Sequence, residues 1–141
     1  MTLNITPFNN KNFFIRKNST LPVLKYQLTQ RILEKYDITS DMLENVAITF
    51  SMVNLKNDRY KIANTPARLI INRDRPNFPD EVEYTLAYNF KLRDTNQTGL
   101  FRGEFSINFL GNDGCGEIKF PIDGVGLIIY INDSITKTEV V

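Results

Sequence analysis

The sequence predicts an all-β domain, an antiparallel β-sandwich of about eight strands, on three observations. Apolar and polar residues alternate with period two over several segments, polar turns containing Gly or Pro separate those segments, and little of the chain repeats with a helical period. A chain of 141 residues with 42% hydrophobic residues is one domain's worth of material, with enough apolar side chains for an ordinary core.

Residues 1–12 contain Asn4, Asn9, Asn10 and Asn12 and show no period, so they read as a polar arm. The arm carries Leu3, Ile5, Pro7 and Phe8, too few apolar residues to fold alone and enough to anchor on a partner. The folded domain is expected over residues 13–132, followed by a tail over 133–141. Short strands are expected at 13–16 and 23–28. The segment 24–36 fits both a helical face (Leu24, Leu28, Ile32, Tyr36) and a period of two. Pro22 and the run of β patterns favour a strand followed by a turn, with a single helical turn near 40–44 capped by Ser40.

Residues 46–53 set Val46, Ile48, Phe50 and Met52 against Ala47, Thr49 and Ser51, which only a strand sorts onto two faces. A short strand follows at 67–71. Residues 73–80 hold Pro76 and Pro79, which lack amide donors, so they read as an exposed connection. Residues 82–90 alternate Val82, Tyr84, Leu86, Tyr88 and Phe90 with polar or small neighbours. Residues 101–109 do the same with Phe101, Gly103, Phe105, Ile107 and Phe109. The stretch 110–116, with three glycines and an Asn-Asp pair, is a hairpin loop, and strands at 117–122 and 127–131 complete the set. Phe50, Leu86, Phe105 and Ile128 are the expected core residues.

The composition removes several function classes. Lys plus Arg number 17 against 16 Asp plus Glu, a net charge of +1, which lacks the footprint of a nucleic-acid or anionic-membrane binder. The longest apolar run, 125–131, is far short of a membrane span. His is absent, and with it the commonest general base and transition-metal ligand. The single Cys115 has no His to activate it and reads as a turn residue. Asp74, Asp80, Glu81 and Glu83, and again Asp113 and Glu117, would suit only calcium, and neither group has the spacing of a calcium loop. No phosphate-binding glycine pattern occurs, and the aromatic-basic run 13–16 reads as a strand with a buried aromatic face. The expectation is therefore no enzyme, no cofactor, no metal and no small-molecule substrate.

The order of features resembles the N-terminal immunoglobulin-like domain of bacteriophage baseplate upper proteins and related tail or fibre proteins. The residues that carry the resemblance are Ser19-Thr20-Leu21-Pro22-Val23-Leu24 leading into a first core strand, and Asp37-Ile38-Thr39 followed by Val46-Ala47-Ile48-Thr49-Phe50-Ser51-Met52. Further along they are Asp94-Thr95 with Thr98-Gly99-Leu100-Phe101-Arg102-Gly103-Glu104-Phe105, and Phe120-Pro121-Ile122-Asp123-Gly124. The insertion at 41–45 and the long connection at 73–80 depart from that pattern. The resemblance implies an immunoglobulin-like sandwich in a virion structural protein of tail, baseplate, neck or head. Such a protein is assembled in the bacterial host cytoplasm, with other virion proteins and further copies of itself as partners. Ile5 and Phe8 in the arm, and Arg73, Arg75 and Phe78 in the long connection, are the expected partner contacts. A carbohydrate-binding or adhesin module is the competing expectation, weakened by the absence of Trp.

Overall fold

In the computed structural model, residues 11–73, 82–110, 116–122 and 126–133 are described. The chain runs β1 (Asn12–Arg16), β2 (Leu24–Leu28), α1 (Gln30–Lys35), a 3-10 turn (Met42–Glu44), β3 (Val46–Asn54) and β4 (Tyr60–Asn72). It continues through β5 (Glu83–Tyr88), a second 3-10 turn (Leu92–Thr95), β6 (Gly99–Phe109), β7 (Glu117–Phe120) and β8 (Leu127–Asn132). The eight strands form one mixed, nearly barrel-shaped sheet in the order β1-β8-β6-β3-β4-β5-β2, with β7 on β6.

The all-β expectation holds, with two corrections to the architecture. The sheet is mixed because β1 and β8 run parallel, Asn12 opposite Ile128 through Arg16 opposite Asn132. The strands also form one continuous sheet and not two separate ones, because β4 runs unbroken between its two halves. Its residues Tyr60 to Ala67 pair with β3, and Arg68 to Asn72 pair with β5. Sequence reading saw only 67–71 of this 13-residue strand. Asn64 at φ 48 and Pro66, with register shifts opposite Phe50 to Val53, break the alternation that marks a strand.

The core lies between the neighbouring strands β3, β6 and β8 and the strand β5 across from them. The Phe50 ring stacks on Tyr88 with centroids 4.7 Å apart and tilts against Phe105 at 5.0 Å, while Phe90 meets Tyr88 edge-on at 5.3 Å. The parity read for β3, β5 and β6 is the one observed, and Phe50, Leu86 and Phe105 are fully buried. Ile128 is a correction: it is half-buried on the outer face, and Leu127, Ile129 and Ile131 point inward. Leu-Ile-Ile-Tyr-Ile is apolar on both faces, so its own period says nothing. Pairing of Leu127 with the inward Gly103 of β6 sets it.

The segment after β2 is helical, which corrects the strand-and-turn expectation. Thr29 caps α1, its side chain accepting from the Ile32 amide at 3.3 Å, and Leu33 is buried beneath. In the following 3-10 turn Ser40 does not cap. The N-cap position is Asp41, without a side-chain bond, while Thr39 Oγ1 accepts from the Met42 amide at 3.3 Å. Strand β1 begins at Asn12, one residue before the expected 13–16. Strand β7 stops at Phe120, before Pro121. The β6–β7 pairing, Asn108 opposite Glu117, is that of a hairpin, while 111–115 with Cys115, and the Asp123-Gly124 corner, lie outside the described residues.

Candidate functional site

Of the expected partner contacts, Ile5, Phe8, Arg75 and Phe78 lie outside the described residues. Arg73 is exposed just beyond the end of β4. In the acidic group at 74–83, only Glu83 is described, and it is held in the sheet: it accepts from Gln27 Nε2 at 3.0 Å and from Asn72 Nδ2 at 3.4 Å. Among the described residues no three of Asp, Glu, Cys or His gather as metal ligands would.

The buried polar groups are structural. Tyr88 Oη donates to Asp94 Oδ2 at 2.7 Å, and the Lys91 amide donates to the same oxygen at 2.8 Å. Next to them Thr95 Oγ1 donates to the Ser19 carbonyl at 2.8 Å, and the Asn18 amide donates to the Thr95 carbonyl at 2.8 Å. The 3-10 turn between β5 and β6 is thereby tied both to β5 and to the β1–β2 connection. Burial, then the Asp94 carboxylate, pushes the Tyr88 phenol well above its ordinary range. At the other end of β6, Ser106 donates to Glu117. That bond, then Lys119 at 3.7 Å, holds the Glu117 carboxyl below its ordinary value.

An open recess of about 650 Å³ lies between α1, the loop after it and the start of β5. Its polar side chains do not converge: Gln30 and Glu34 bond to one another at 3.3 Å. A smaller depression of about 150 Å³ lies on the outer face of the half-sheet β1-β8-β6-β3-β4, lined by Ser51, Val53, Tyr60, Arg102, Glu104 and Gly126.

That outer face carries a row of exposed apolar side chains. Register places Phe14, Tyr130 and Leu100 side by side across β1, β8 and β6, and the Leu55 amide bonds to the Leu100 carbonyl at 3.0 Å, extending the row. The adjacent row runs Ile128, Arg102, Val53 and Tyr60. Phe14 is 56% exposed, Tyr60 67%, Leu100 47% and Leu55 37%. The Phe14 ring stacks face to face on Tyr130 with centroids 4.5 Å apart, so the two form one aromatic pair standing on the outer face. At positive φ and without a side chain, Gly126 leaves room for the Arg102 stem beside it. Arg102 and Glu104 form no ion pair with each other or with any other described residue.

The sequence reads 13–16 as a strand with its aromatic face buried, which gives Phe14 no outward role. Ile15 is buried and Phe13 stacks on Phe90 at 5.8 Å, but Phe14 takes the opposite side of the strand. The available signal was alternation itself: inward Phe13 and Ile15 put Phe14 outside, as inward Phe101 and Gly103 put Leu100 and Arg102 outside. In comparison with known proteins, no family model, no curated protein and no solved structure matches the chain.

Proposed function

We propose that this chain is a bacteriophage virion structural protein, a small immunoglobulin-like adaptor or attachment module of the tail, baseplate, neck or head. Its work is non-covalent assembly with other virion proteins. The observation that carries the reading is the apolar outer face of Phe14, Tyr130, Leu100 and Tyr60, an exposed patch of the kind that marks protein interaction sites. The sequence resemblance supplies the setting.

The strand order supports the immunoglobulin-like part of the proposal. One half of the sheet runs β1-β8-β6-β3-β4 and the other β4-β5-β2. In immunoglobulin variable domains the sheet of strands G, F and C is extended by C′, facing a sheet with strands B, E and D. Taking β2 as B, β3 as C, β5 as E, β6 as F and β8 as G reproduces that order, with β4 serving as C′ and D in one continuous strand. The buried Asp94 and Thr95 then occupy the corner between E and F.

Purified phage particles provide the test. The chain is expected in them at fixed stoichiometry by mass spectrometry and at a defined site by electron microscopy; its absence from particles defeats the proposal. One observation favours a second reading, a carbohydrate-binding or adhesin module: Phe14, stacked on Tyr130, is an aromatic ring more than half exposed on the outer face. Binding to a glycan panel that Phe14→Ser abolishes would favour it.

A further inference from the structure

We propose that the outer face of the half-sheet β1-β8-β6-β3-β4 is a self-association surface, and that its occupant is a second copy of this chain packed face to face about a two-fold axis. This deepens the docking reading above and rests on it.

The face is self-complementary. With a two-fold axis running along the strands between β6 and β8, β6 of one copy crosses over β8 of the other, and β3 over β1. Leu100 of each copy then faces Tyr130 of the other, and Phe14 faces Leu55, so the apolar row meets itself and every contact occurs twice, as an isologous interface requires. In the next row Arg102 falls over the second copy's Ile128, with the second copy's Glu104 one strand and two residues away, within reach of the long guanidinium side chain. Among the described residues neither charge has an ion partner in its own chain, so the contact supplies each with its complement.

Size and charge agree with this occupant. Phe14, Tyr60, Leu100 and Leu55 leave about 400 Å² of side-chain surface in water, given that a whole aromatic side chain presents about 200 Å². That is the apolar centre of an interface of about 800 Å² per partner, with Arg102, Glu104, Asn12 and Arg16 as its polar rim. The composition of the patch, rich in Phe, Tyr and Leu with one Arg, is that of an interface core. A net charge of +1 offers almost no repulsion between copies.

Sedimentation equilibrium of the full chain over a wide concentration range tests the proposal. The expected result is a reversible monomer–dimer equilibrium. Leu100→Asp should weaken it by tenfold or more while leaving the circular dichroism spectrum intact, because Leu100 is outside the core. Arg102→Glu should also weaken it, and Arg102→Glu combined with Glu104→Arg should restore it. A wild-type chain that stays monomeric throughout, or a dimer indifferent to Leu100→Asp, overturns the proposal. Particle incorporation separates this from the broader reading. A monomeric wild type that loses incorporation on Leu100→Asp overturns self-association and leaves docking on another virion protein standing. A dimer dissociated by Leu100→Asp, in a chain absent from particles, supports self-association and overturns the virion assignment.

Discussion

The Tyr88 hydroxyl and the Asp94 carboxylate meet at 2.7 Å inside the protein, and this bond fastens the turn after β5 to the strand it has just left. Asp94 is almost fully buried, with the Tyr88 hydroxyl and the Lys91 amide as donors to the same oxygen. Replacing Tyr88 with Phe keeps the ring stacked on Phe50 and removes one donor from a buried charge. Tyr88→Phe should therefore destabilise the fold by about 1.5–3 kcal/mol near neutral pH, measured by urea unfolding.

The same pair predicts an alkaline limb. The folded phenol holds its proton above the ordinary value of 10.0, whereas the unfolded phenol releases it there. Between those points the folded state binds more protons, so stability falls as pH rises past about 10. In Tyr88→Phe this contribution is gone, and the stability gap between wild type and variant should narrow from pH 10 upward.

Glu117 acts at the acid end, with the opposite sign. Its folded carboxyl titrates below the ordinary 4.5 because Ser106 and then Lys119 favour the charged form. The contribution is fully present above that value and is lost as pH falls through the folded one. Ser106→Ala should show a shallower loss of stability below about pH 4.5 than wild type, followed by thermal melting across the acid range.

Gly103 marks the closest approach in the core. A Cβ there would lie 2.7 Å from both Phe50 Cζ and Ile129 Cδ1, two fully buried side chains with no slack. Gly103→Ala should cost about 1–3 kcal/mol through overpacking, and Phe50→Leu in the same chain should recover part of it. Additive losses in the double variant would show that the clash is not the cause.

Long alternating strands were legible from sequence because each presents one apolar and one polar face. Phe50, Leu86 and Phe105 could be placed in the core on that basis alone. Where a segment is apolar on both faces, as in β8, side is decided by a pairing partner far along the chain, and Ile128 was misplaced accordingly. Helix α1 was hidden because the apolar residues from Leu24 to Tyr36 satisfy two periods, and the Thr29 cap that separates strand from helix is a single residue. The first half of β4 was hidden by its own irregularities at Asn64 and Pro66. The outer face needed strands far apart in sequence, β1, β8, β6 and β3, to be set side by side before Phe14, Tyr130, Leu100 and Leu55 became one surface.

The parallel pairing of β1 with β8 has a mechanical consequence. The chain comes into β1 beside Ile128 and leaves β8 beside Arg16, at opposite ends of the pair. Tension drawn through residues 11 and 133 therefore slides the two strands lengthwise past each other, and the bonds across the whole register are loaded together rather than peeled singly. Single-molecule stretching through these ends should meet a high, abrupt rupture force, and stretching across the β6–β7 hairpin a lower one. A strand pair loaded this way carries tension along its length up to that rupture force.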